Sequence, residues 1–352
     1  MKLHEDIENF KSAIVDINLK TGILESFIEK DYWIFSTLKY LRNGRYGNDI
    51  VFKGGTSLSK GHKIVQRFSE DIDLTLDSAS LRSETGTFTK DLVKRCNSKI
   101  KNDLIANFLP INKKEFFREK GELKTIPLDY SPIFPSEVIK QDLTVELTAI
   151  DFDTPNRMLP ISSFITDYLV QNNRNDLIEL YNLQPFEIKV VDVEKTLCEK
   201  IFRLNKRGET EGIIGIGLKL RDVYDISIII SHPQYQQYIQ SDHFCKDLFE
   251  VEQTEIKKIE DWTKSLNERG DNERAQKLLE KNRWLHQSVS NSYIFSNPEA
   301  LLNVNPKYKI DLDMFVYGEP VNLQQMVKSI HELSEQLKRY DKWKLSHYET
   351  QS

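Results

Sequence analysis

Residues 51–77 read VFKGGTSLSKGHKIVQRFSEDIDLTLD. The apolar pair Val51-Phe52 runs into a turn, Gly54-Gly55-Thr56-Ser57, and Asp71-Ile72-Asp73 opens a segment that alternates acid with apolar. Glycine lets backbone approach a ligand closely, and a helix start behind it presents free N–H groups to an anion. In a strand, residues two apart face the same way, so Asp71 and Asp73 present their carboxylates together while Ile72 and Leu74 face the core. Two parallel carboxylates repel each other unless a cation sits between them. Magnesium takes few protein carboxylates and completes its octahedron with water and substrate phosphate. Amides for phosphate followed by carboxylates for metal describe a site that handles nucleotides.

Other phosphate and nucleophile motifs do not fit. A Walker A loop needs GxxxxGK[ST], and here Lys60 precedes Gly61, the wrong order. A hydrolase elbow needs GxSxG, and Gly55-Thr56-Ser57-Leu58-Ser59 lacks the second glycine. Alone, a GGTS turn is more often plain punctuation between strand and helix; the acid pair one short helix later changes that balance. A third carboxylate on a neighbouring strand would complete a two-metal phosphoryl-transfer site. Glu146, in the strand-like run Leu143-Thr144-Val145-Glu146-Leu147-Thr148, is favoured over Asp151 and Asp153, which sit nearer the loop to Pro155. The seven histidines lie singly with no HExxH, so zinc catalysis is unsupported.

Working outward, helical periodicity covers residues 5–43, with a second helix from near Gly22 to Asn43-Gly44. Thr56 or Ser57 is expected to cap a helix over residues 58–65. Residues 70–77 read as a second strand, and residues 88–108 as a helix. After about residue 160 helical patterns dominate, over 192–205, 218–231, 251–268, 272–288 and 321–345. The expected organisation is an α/β domain over residues 1–165 and a helical domain over residues 166–352.

The chain of 352 residues has a net charge of −5, 39% apolar and 29% charged residues, as an ordinary globular protein does. That charge gives no footprint of a general nucleic-acid binder, although 49 lysines and arginines leave room for a local basic face. No apolar run approaches the roughly 18 residues a membrane span requires. Cys96, Cys198 and Cys245 are far apart without a CxxC, which fits a reduced compartment, and the expected location is the cytoplasm.

Four stretches carry a resemblance. They are EKDYW at residues 29–33; FKGGTSL at residues 52–58 with SEDID at residues 69–73; VEKTLCEK at residues 193–200; and RDVYD at residues 221–225. The turn and acid pair resemble the signature of the DNA polymerase β-like nucleotidyltransferases. The four together, in this order, resemble the AbiEii/AbiGii toxin family of nucleotidyltransferases over about residues 25–230. Two departures stand out: a glycine-rich loop expected from Arg207 to Lys219, and a longer gap between turn and acid pair.

The resemblance implies a polymerase β-like domain with a small mixed sheet, an α/β (α+β) fold, followed by a helical C-terminal domain. It implies transfer of a nucleoside monophosphate from a nucleoside triphosphate to a hydroxyl, with pyrophosphate released and two Mg2+ ions at the site. Gly54, Gly55, Thr56 and Ser57 would hold the triphosphate, and Asp71 and Asp73 the metals. Glu146 would join the metal set or help deprotonate the hydroxyl. Lys200 would neutralise phosphate charge, Asp222 would orient Lys200 or the nucleotide, and Asp225 would share its face. Arg221 is weighed evenly between a nucleotide contact and a structural ion pair. Lys30-Asp31 fits a solvent-facing pair, and Trp33 a core residue. The resemblance further implies a toxin of a type IV toxin–antitoxin or phage-abortive system with an antitoxin from an adjacent gene. The tRNA 3′ end is one acceptor; a small-molecule acceptor and a non-catalytic nucleotide-binding module remain alternatives, the latter disfavoured because both aspartates are present.

Overall fold

The computed structural model describes residues 1–86, 89–107, 118–120, 123–148 and 154–348. They form two compact units, Met1–Asp192 and Val193–Ser352. Among them no helix is long and apolar enough to cross a membrane.

The first unit is a mixed sheet with helices. Its strands are β1 (Ile50–Lys53), β2 (Asp71–Leu76), β3 (Arg118–Lys120), β4 (Leu123–Asp129), β5 (Asp142–Thr148), β6 (Asn156–Ile161) and β7 (Phe186–Val191). They lie in the order β3-β4-β5-β2-β1-β7-β6. β1 pairs antiparallel with β2 and parallel with β7, while β2 pairs parallel with β5. The helices are α1 (Ile7–Thr21), α2 (Glu25–Asn43), α3 (Gly54–Lys60), α4 (Ser78–Thr85), α5 (Lys90–Asn107), α6 (Phe164–Gln171) and α7 (Asn175–Leu180). Val51, Phe52, Ile72, Leu74 and Val145 are wholly buried, so the alternation of β2 and β5 sends apolar side chains one way and carboxylates the other.

Two sequence expectations change here. The compact units divide after Asp192 rather than near residue 165, because β7 enters the sheet beside β1 and ties residues 186–191 to the first unit. The helix after the turn begins at Gly54 and ends at Lys60, earlier and shorter than a helix over residues 58–65. Thr56 and Ser57 therefore lie inside its first turn instead of capping it.

The second unit is helical: α8 (Val193–Leu218), α9 (Leu220–Ser231), α10 (Pro233–Ile239), α11 (Asp242–Glu268), α12 (Asn272–Lys281), α13 (Tyr293–Ser296), α14 (Pro306–Phe315) and α15 (Leu323–Tyr348), with short 3₁₀ turns. The expected glycine-rich loop from Arg207 to Lys219 is instead helix broken once, at Gly212, whose φ of 58° and ψ of −142° interrupt α8. The other glycines there serve packing; a Cβ on Gly217 would overlap the Tyr308 ring.

Candidate active site

The acid pair stands as its alternation requires. Asp71 and Asp73 are part-exposed while Ile72 and Leu74 are buried. β5 lies beside β2 in register, with Asp73 opposite Glu146 and Asp71 opposite Thr144. Paired residues of neighbouring strands point to the same side, so Asp71, Asp73 and Glu146 share one face of the sheet. Asp151 and Asp153, the competing carboxylates, lie outside the described residues. Burial pushes the Glu146 carboxyl above the usual glutamate range, and repulsion from Asp73 and Asp71 pushes it further, against Lys140 and Lys53. A shared cation would relieve that repulsion. Among the described residues no three His, Cys, Asp or Glu side chains are already gathered into a ligand cluster. The oxygen donors fit a hard divalent ion in kind, and Lys140 supplies countercharge at Asp71, with Nζ 3.2 Å from Oδ1.

The glycine turn is held against this face. Gly54 has a φ of 78°, and a Cβ there would overlap Oδ2 of Asp73. A Cβ on Gly55 would meet Nη2 of the buried Arg67 at 2.5 Å. The Thr56 hydroxyl donates to the Asp71 carbonyl at 2.5 Å, and that of Ser57 to the Gly54 carbonyl at 2.9 Å. Both side chains are buried. The Thr56 bond locks turn to strand and the Ser57 bond closes the turn on itself, which leaves the first-turn backbone amides as the groups of this segment suited to an anion.

The residues that sequence reasoning placed on solvent prove to be buried. Lys30 and Asp31 on α2 are 0% and 2% exposed. Glu29 accepts the N–H groups of Ile133 and Phe134, each at 2.8 Å. Lys30 donates to the Lys140 carbonyl at 2.8 Å and lies 3.7 Å from Glu70. Asp31 accepts from Lys60 at the end of α3 and, at 2.8 Å, from the Phe164 amide. The acidic strand, the turn helix and the loop before β5 are thus tied to three consecutive residues of one helix. A charged pair inside an amphipathic helix normally reads as solvated, so the burial had no sequence signal. Trp33 is core, packed among His4, Tyr32 and Tyr130, as expected.

Two residues of the site were missed. Lys53 pairs in register with Asp73 and so shares the acidic face; its place directly before Gly54 was the available hint. Lys140, far along the chain from Asp71, had none.

In the second unit the distant motifs meet one another. Lys200 on α8, 2% exposed, reaches Oδ1 of Asp222 at 2.5 Å and Oδ2 of Asp225 at 2.9 Å, both on α9. Arg203 approaches Asp222 at 3.3 Å. Burial would raise the Asp222 carboxyl, but Lys200 and Arg203 outweigh it and hold the group well below the usual aspartate range. The guanidinium of Arg221 lies 3.7 Å from the centre of the Phe315 ring, a cation–π contact.

The glycine turn directly after β1 and the acid pair on the neighbouring β2 thus stand at the centre of the mixed sheet. The profile of the family described as nucleotidyl transferase AbiEii toxin, of type IV toxin–antitoxin systems, matches residues 37–329, and the chain belongs to that family. The match starts after the EKDYW motif and runs past residue 230 through most of the second unit. A solved structure, MenT4, a nucleotidyltransferase toxin of Mycobacterium tuberculosis, is similar at 17% identity and a TM-score of 0.37. That similarity covers 62% of this chain and 64% of MenT4. No curated protein sequence matches.

Proposed function

We propose that this family member is a divalent-metal-dependent enzyme that transfers the nucleoside monophosphate of a nucleoside triphosphate to an acceptor hydroxyl. The observation that carries this reading is the register of Asp73 with Glu146, beside Asp71 and against the Gly54 backbone. Asp71, Asp73 and Glu146 would hold the metal ions, Mg2+ in the cell. The chemistry a divalent cation supplies there is neutralisation of charge on the phosphates and on the attacking and leaving oxygens. The amides of Gly54, Gly55, Thr56 and Ser57 bind phosphate oxygens. Glu146, its carboxyl raised, is suited to take the proton of the attacking hydroxyl where it is not bound to metal. Lys200, buried and held by Asp222 and Asp225, joins α8 to α9 within the second unit. The Arg221 guanidinium is stacked on Phe315 within the same unit.

The proposed acceptor is the 3′ end of tRNA, the proposed site of action the cytoplasm, and the proposed antidote the product of an adjacent gene. The purified chain with each labelled triphosphate, Mg2+ and total tRNA should label RNA. EDTA should abolish labelling, and Asp73→Asn should cut it by about 100-fold or more, the order seen when a group that stabilises transition-state charge is removed. Label on no nucleic acid would sink the tRNA acceptor; equal labelling by Asp73→Asn would sink the site assignment.

A further inference from the structure

Lys140, whose ammonium contacts Asp71, has its main chain gripped on both sides. Its N–H donates to Oε1 of Glu70 at 2.8 Å, and its carbonyl accepts from Nζ of Lys30 at 2.8 Å. Lys30 is wholly buried and Glu70 nearly so, 3.7 Å apart. Residues 133 and 134, earlier in the same loop, are pinned by the Glu29 carboxylate. Burying charges is costly, and here the buried charges fix where the Lys140 backbone stands.

The Lys140 side chain is held far less firmly. It is 54% exposed, and its partner Asp71 is 37% exposed, 3.2 Å away. Ion pairs this open are weak and easily exchanged. A fixed backbone carrying a flexible four-carbon stem keeps the ammonium close to Asp71 without binding it to that carboxylate.

We propose that Lys140 is a substrate-binding residue that exchanges partners. Without metal it serves as the counter-ion of Asp71; when a divalent cation takes Asp71, the released ammonium binds the triphosphate brought in with that cation. This rests on the metal-dependent reading above. No covalent step is involved, only one ion pair replaced by another.

Two opposite effects distinguish the exchange from a structural role. Mn2+ alone, titrated into the full chain and followed by electron paramagnetic resonance, should bind Lys140→Gln roughly two- to fivefold more tightly than wild type, the range for losing an open competing ion pair. The Mn2+ complex of inorganic tripolyphosphate, followed by calorimetry, should bind Lys140→Gln roughly tenfold more weakly, the loss of one charge-assisted contact. Lys140→Arg should restore most of the tripolyphosphate binding. If Asp71→Asn weakens Mn2+ binding while Lys140→Gln leaves both affinities unchanged, or weakens both, the exchange is wrong and the metal site stands. If wild type and Asp71→Asn take up Mn2+ alike, the metal reading falls and the exchange with it.

Discussion

Gly54 shows how one residue can couple backbone to chemistry. Its positive φ places it where a side chain is strained, and the vacant Cβ position is filled by the Asp73 carboxylate. Alanine there meets both problems together. Gly54→Ala should lower stability by about 1–3 kcal/mol, the usual cost of a residue forced into a disfavoured backbone region, and should displace Asp73 enough to remove transfer activity. Urea denaturation beside the labelling assay checks both parts; a variant with normal stability and activity would contradict the close approach. In sequence the glycine pair was legible as a turn, but not that one glycine makes room for the second aspartate of a strand that begins 17 residues later.

At the scale of elements, the informative pairing is α8 with α9. Lys200 and Asp222 are buried, and Asp222 stays ionised because its cations outweigh burial. A carboxyl whose folded pKa is depressed stabilises the fold above its ordinary value, here 3.8, and that stability is lost as pH falls below it. Asp222→Asn should therefore cost about 3 kcal/mol at pH 7, the low end for breaking a buried pair because Lys200 keeps Asp225. The gap to wild type should narrow as pH falls from about 4 towards 2. Urea titrations across that range measure it, and a gap independent of pH would refute the ionised pair. The motifs at residues 193–200 and 221–225 were each visible in sequence, as were the spans of most helices. What stayed hidden was α2, where Glu29, Lys30 and Asp31 look like an exposed charged face and are instead the ties of the scaffold. Amphipathic periodicity reports apolar stripes and cannot tell a solvated charge from a buried, partnered one.

For the whole molecule, the division after Asp192 has an experimental consequence. The first unit contains the complete sheet, including β7, together with Asp71, Asp73 and Glu146. Residues 1–192 alone should unfold in one cooperative transition and bind Mn2+ in a manner lost with Asp73→Asn. A fragment ending near residue 165 should not fold, since it lacks the parallel neighbour of β1. Circular dichroism melts of the two fragments decide the matter, and equal folding of both would move the boundary.

The sequence by itself determined the glycine turn, the alternation that turns two aspartates to one side, and the family. These are local properties: strand period, turn composition and motif order are written in contiguous residues. Tertiary structure alone decided which strand stands beside β2, and hence that Glu146 faces Asp73. It also decided that the Thr56 hydroxyl reaches the Asp71 carbonyl and that Lys140 meets Asp71. Each of these depends on register or loop placement between distant segments, where a shift of one residue would send every side chain to the other face.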